Sequence, residues 1–60
     1  MTLWTLKVYR DDGFKTSEQT VRALEKAIWL AKLKSTEGFA SVNRGVRFLW
    51  FRRGKLVSKT

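Results

Sequence analysis

Sixty residues without Cys, His or Pro make one small domain, since a chain of this length buries only about 60% of its unfolded surface on folding. Thirteen Lys and Arg against five Asp and Glu give a net charge of +8, and the missing Cys and His exclude a disulfide framework and a zinc clip. Four Phe, three Trp and one Tyr supply large apolar area per residue instead, so stability should be marginal and self-association would add burial.

Leu3 to Arg10 alternates, with Trp4, Leu6 and Val8 on one side and Leu3, Thr5, Lys7 and Tyr9 on the other. That is the pattern of a strand with one apolar face. Asp11-Asp12-Gly13 supplies turn chemistry, and Phe14 and Lys15 form either a short return strand or a connector. Thr16 with Gln19 matches a capping box, and Glu18 stands where a helix N-terminus favours an acid. A helix is therefore predicted from about Ser17 to Ser35, ending near Glu37-Gly38 with Lys32 and Lys34 complementing its dipole. Within it Val21, Leu24, Ala27, Ile28 and Ala31 share a stripe assigned to the core. Arg22, Lys26, Trp29 and Leu33 form a second stripe, which is either a contact patch or a Trp folded over cationic stems at the edge of the core.

Phe39 to Val42 reads as the next strand and Asn43-Arg44-Gly45 as a hairpin turn. From Val46 to Lys55 three large aromatics lie among four cations. Alternation puts Val46, Phe48 and Trp50 on one face, assigned to the core, and Arg47, Leu49, Phe51 and Arg53 on the other. The opposite choice of face would exchange Phe51 and Leu49 for Phe48 and Trp50. Arg53-Gly54 reads as a further tight turn, returning through Leu56 and Val57 towards Lys59. The order β-α-β-β, with or without a short extra strand before the helix, predicts an α+β fold. It is a two-layer sandwich of one helix on a three- to four-stranded, mostly antiparallel sheet, and residues 1–60 form a single domain.

Enzymatic chemistry is not expected. A nucleophile, base and stabilising group must converge, and the acids here lie in a turn or along the helix. Asp11-Asp12 reads as turn chemistry rather than a Mg²⁺ site, the glycines are too scattered for a phosphate loop, and no cofactor or metal is predicted. Charge is more informative. Residues 38–60 hold six bases and no acid, whereas all five acids fall within residues 1–37. Such a one-sided field suits nucleic acid or an acidic protein surface.

With the helix on one side of the sheet, the other side is predicted to bind nucleic acid through Lys7, Tyr9, Arg44, Arg47, Phe51, Arg52, Arg53 and Lys55. Bases would stack on Tyr9 and Phe51 while the cations meet phosphates. DNA or RNA, single strand or duplex, remain open at this point. Arg22, Lys26, Trp29 and Leu33 make a secondary helix patch. The alternative is a protein-interaction module, engaging an acidic host protein or forming a homodimer through the same face, with a membrane surface the least favoured partner. The opening residues lack the features of a signal peptide, and a cytoplasmic location is expected.

Trp4 in the first strand, the helix run Ala23-Leu24-Glu25-Lys26-Ala27-Ile28-Trp29, and Gly38-Phe39 entering the next strand carry a resemblance over roughly Trp4 to Val42. In these features the chain resembles the small host-takeover proteins of lytic phages, in particular the T7-type inhibitor of bacterial RNA polymerase. The resemblance implies a βαβ-type sheet-and-helix fold, a phage source and a protein partner in transcription. It assigns no functional residue.

Overall fold

The computed structural model describes residues 3–60. Along the chain come β1 (Trp4–Arg10), β2 (Lys15–Val21), α1 (Leu24–Lys34), β3 (Gly38–Arg44), β4 (Arg47–Arg52) and β5 (Lys55–Lys59). The strands form one antiparallel sheet in the order β2-β1-β3-β4-β5, and α1 packs on one of its faces. The α+β class and the single helix on an antiparallel sheet match the expectation. The sheet has five strands rather than three or four.

The additional strands have local causes. The segment expected to open the helix is instead β2, which turns back along β1 after Asp11 and Asp12. Asp12 Oδ1 accepts a hydrogen bond from the Phe14 N–H at 2.9 Å, and Gly13 adopts a φ of 88° that favours glycine. Pairing passes from Val8↔Ser17 to Tyr9↔Lys15, which leaves Thr16 in a bulge. The Thr16 hydroxyl, expected to cap a helix, donates to the Val8 carbonyl at 3.2 Å. Two threonines and Val21 suit a strand, and the pairing satisfies backbone groups that β1 would otherwise expose. The helix then starts at Leu24 from an N-cap, Ala23, that makes no side-chain cap hydrogen bond. Lys32 and Lys34 do lie in its last turn, as the dipole favours. The structure is thus ββαβββ.

Trp4, Leu6 and Val8 of β1 meet Val21, Ala27, Ala31, Ala40, Val42 and Phe51 in the core. Four of the five residues of the predicted helix stripe pack as expected, with Ala27 and Ala31 fully buried and Leu24 and Ile28 at the margin. Val21 reaches the core from the end of β2 instead. The alanines bring α1 close to β3, whose inward residues Ala40 and Val42 are correspondingly small. At the mouth of β3, Gly38 pairs with Arg10, and a Cβ there would overlap the Tyr9 carbonyl.

The two C-terminal hairpins both close through two residues. Arg44 pairs with Arg47 across Gly45-Val46, where Gly45 has φ 62° at the first central position, as a type II′ turn requires. Val46 is therefore a turn residue, 89% exposed, and not a core residue. Arg52 pairs with Lys55 across Arg53 and Gly54, both at positive φ (51° and 80°), the type I′ pattern. This second turn is tied to the rest of the fold. The buried Ser35 Oγ accepts from the Gly54 N–H at 3.1 Å and donates to the Lys32 carbonyl at 3.3 Å, while the Arg53 N–H donates to the Gly38 carbonyl at 3.2 Å.

Residues directly opposite in a sheet share a face. Val42↔Leu49 and Ala40↔Phe51 therefore place Leu49 and Phe51 beneath the helix. Phe48 and Trp50, assigned to the core from alternation alone, lie on the uncovered face.

Candidate nucleic-acid interface

The uncovered face is built from the alternate residues of each strand. Register sets three rows across its centre: Thr5, Asn43 and Phe48; then Lys7, Ser41 and Trp50; then Tyr9, Phe39 and Arg52. Beyond them Lys55 stands opposite Arg52 and Ser58 opposite Trp50, while Glu18 stands opposite Lys7 and Lys15 opposite Tyr9.

Four rings form a continuous band across these rows. Tyr9 and Phe39 stack with centroids 4.9 Å apart and planes 12° from parallel. Phe39 approaches Trp50 at 6.4 Å with a 45° tilt, and Trp50 lies parallel to Phe48, 6.2 Å away and within 9°. All four are partly buried and keep some exposure to solvent. Ser41, between Lys7 and Trp50 in the middle row, is almost completely buried, and its small side chain leaves room for the larger neighbours. Contacts of this kind hold aromatic rings in set orientations.

Cations surround the band. Lys7 shares a row with Trp50, and Arg52 and Lys55 stand at the Phe39 end. Acids lie at the perimeter. Glu18 accepts from the Lys15 ammonium at 2.6 Å, and that bond, with the positive charges of Lys15 and then Lys7, holds its carboxyl below the ordinary value. The same pair raises Lys15. Asp11 Oδ2 accepts from the Arg53 guanidinium at 3.1 Å, and its other oxygen lies 3.7 Å from the Arg52 guanidinium. Asp12 is held low first by the Phe14 N–H and then by Arg10, whose guanidinium is 2.8 Å away. Both turn aspartates thus face arginines, and among the described residues no three His, Cys, Asp or Glu side chains gather as a metal site would require.

The structure divides the predicted binding set. Lys7, Tyr9, Arg52 and Lys55 do share the uncovered face. Arg53 sits in the turn, tied to Asp11. Arg44 and Arg47 belong to the helix side: the Arg44 guanidinium lies 4.8 Å from the Trp4 ring centroid, and Arg47 borders a groove beside α1. Phe51, predicted to stack on bases, is instead a core residue at 1% exposure. Its ring is unavailable to a ligand for the register reason above.

In the secondary patch Trp29 is 61% exposed and Leu33 also projects outward, so Trp29 does not cover the edge of the core. Arg22 and Lys26 lie along a shallow depression between α1 and β2, with Lys34 at its other side.

Phe39, Phe48 and Trp50 are the site residues missed from sequence. For Phe39 the signal was the parity of β3: with Ala40 and Val42 inward, Phe39, Ser41 and Asn43 must face outward; the face of Phe48 and Trp50 depends on the register of β4 against β3. Among the described residues, no helix is long and apolar enough to cross a membrane. Comparison with protein-family models, curated proteins and solved structures found no match.

Proposed function

We propose that this protein binds single-stranded nucleic acid on the uncovered face of its sheet, without catalysing a reaction. The carrying observation is the band of Tyr9, Phe39, Trp50 and Phe48 beside Lys7, Arg52 and Lys55. Every base has a π-face, so exposed rings accept bases with little regard to sequence, at about 1–3 kcal/mol per stacked base. Lys7, Arg52 and Lys55 would meet the phosphates that link those bases. Single strands suit this surface better than duplex, because a duplex keeps its base faces stacked inside and leaves flat rings without a partner.

Fluorescence anisotropy of a labelled oligonucleotide, titrated at several salt concentrations, tests the reading. Contacts from Lys7, Arg52 and Lys55 alone give a slope of log K against log salt near −2, at about −0.7 per phosphate on single strands. Duplex of the same length should bind more weakly, and Trp50→Ala should cost the single strand more than the duplex. A slope near zero, or equal binding by the Trp50→Ala protein, overturns the proposal.

The same band would also form the apolar centre of a homodimer or host-protein interface. Against a homodimer stands the cost of bringing two chains of charge +8 together. Sedimentation at rising protein concentration, without oligonucleotide, separates these cases: a mass that doubles and an oligonucleotide that does not bind would favour the dimer.

A further inference from the structure

The helix does not reach across the whole sheet, and on its β5 side it leaves a second surface that nucleic-acid binding does not use. A groove of about 400 Å³ runs between α1 and the β4–β5 hairpin, a volume within the range of ligand-binding clefts. Leu24 and Ile28 form its helix wall, and Leu49, Phe51 and Leu56 form its floor and far side. Leu56 stands opposite the buried Phe51 yet is 46% exposed. The helix packs mainly on β1 and β3 and leaves this side of β5 partly open.

Charge distinguishes this groove from an incompletely covered core. Among the described residues, its charged lining side chains are Lys32, Arg47 and Lys59, which stand at its two ends, and Thr60 lines the same end as Arg47. Lys32 lies in the last turn of α1 near the Arg53-Gly54 turn, since the Lys32 carbonyl is 3.5 Å from where a Gly54 Cβ would lie. Arg47 begins β4 at the opposite end, and Lys59 stands opposite Leu49. An apolar trough closed at each end by cations, with no acidic side chain among the described lining residues, is complementary to an apolar cluster flanked on both sides by carboxylates. It repels a second copy of this chain, which would bring more positive charge.

We infer that this groove docks an acidic, amphipathic peptide segment of a protein partner. Two or three bulky apolar side chains would lie against Leu49, Phe51 and Leu56, with Asp or Glu on either side meeting Lys32 at one end and Arg47 and Lys59 at the other. Groove recognition of this kind reads apolar anchors for affinity and rim charges for orientation. The site is separate from the aromatic band, so a partner could occupy it while nucleic acid is bound.

Fluorescence anisotropy on the full chain tests the inference with a labelled synthetic peptide carrying three leucines within one helical turn, flanked on both sides by glutamates. Two control peptides replace the leucines by serine or the glutamates by lysine. The parent peptide should bind saturably and each control at least about tenfold more weakly, the equivalent of one 1.4 kcal/mol step. Leu56→Glu and Arg47→Glu, both at surface positions and checked by circular dichroism, should each weaken the parent peptide similarly, whereas Trp50→Ala should leave it unchanged. Equal binding of the serine control would mean attraction by net charge alone and would overturn the inference. So would peptide binding that Leu56→Glu leaves intact, or the absence of saturable binding by the parent peptide. Loss of oligonucleotide binding with the peptide result intact would remove only the nucleic-acid reading.

Discussion

Val42 stands directly opposite Leu49 across the β3–β4 pair, and from that pairing follows which aromatic residues of β4 meet solvent. A Val42 fixed beneath the helix draws Leu49 and, two residues on, Phe51 to the same side. Phe48 and Trp50 are thereby turned to the open face.

Phe51 and Trp50, adjacent in the chain, should therefore fail in different ways. Phe51→Ala removes a fully buried ring, and large-to-small changes of this kind cost about 3–5 kcal/mol, enough to unfold a domain this small. Trp50→Ala should fold with little loss of melting temperature and bind single-stranded oligonucleotide more weakly by about 1–3 kcal/mol. Thermal melts beside anisotropy titrations distinguish the two, and the opposite assignment would show as a Trp50 variant that unfolds.

Asp11 pairs with Arg52 and Arg53, so under the proposed function it would compete with phosphate for them. Exposed ion pairs are worth about 0.2–1 kcal/mol, so Asp11→Asn should tighten oligonucleotide binding at low salt by up to about fivefold and lower the melting temperature by no more than about 8 °C. Arg52→Ala should act oppositely and make the salt slope shallower by about 0.7. Unchanged affinity in the Asp11 variant would mean that Arg52 and Arg53 do not approach the ligand.

Two small residues hold the turns in place. Gly38→Ala would drive a methyl group into the Tyr9 carbonyl, a backbone clash that neighbouring side chains cannot relieve, and overpacking typically costs about 1–3 kcal/mol. Ser35→Ala removes the acceptor of the Gly54 N–H, and an unsatisfied partner costs about 1–3 kcal/mol. Both should lower the urea midpoint, and Ser35→Ala should also speed amide exchange at Gly54. Exchange that stays slow there would show that the hydroxyl is dispensable.

Acid should erode stability in a defined direction. Glu18 and Asp12 titrate below their ordinary values of 4.5 and 3.8, so each binds protons less readily when folded. Their contribution is complete above those values and is lost as pH falls through the lower, folded-state ones. Melting temperature should decline gently below about pH 4.5, and Glu18→Gln should flatten part of that decline. Lys15, raised above 10.5, gives the mirror effect: its contribution is lost as pH rises through the raised value. All three groups are solvent-exposed, so these slopes should be shallow.

The inversion of β4 shows what could be read from the chain and what could not. Alternation sorted residues 47 to 51 correctly into two rows, and the first strand, the Asp-Asp-Gly turn and the inward alanines all behave as their residue types dictate. What it left open was which row faces the helix, and loop length decided that. A three-residue loop at Asn43-Arg44-Gly45 would pair Val42 with Val46 and bury Phe48 and Trp50. The two-residue loop at Gly45-Val46 shifts the register by an odd number and exchanges the faces. The positive φ of Gly45 serves either loop, so the glycine alone did not discriminate. Likewise Thr16 and Gln19 satisfy a capping box on paper, but nothing local reveals that β1 needs a partner on its outer edge. That requirement is tertiary, and it claimed the segment for β2.

The pairing of β1 with β3 differs from every other pairing in the sheet, because the other three join consecutive strands through tight turns. β2 and α1 must both be spanned before Arg10 can meet Gly38. Hairpins of neighbouring strands form on a microsecond scale, whereas a contact between distant segments must first overcome the entropy of the loop it closes. Closure of this seam is therefore the step expected to set the folding rate, and substitutions along it should slow folding, whereas those at the β4–β5 turn should mainly hasten unfolding.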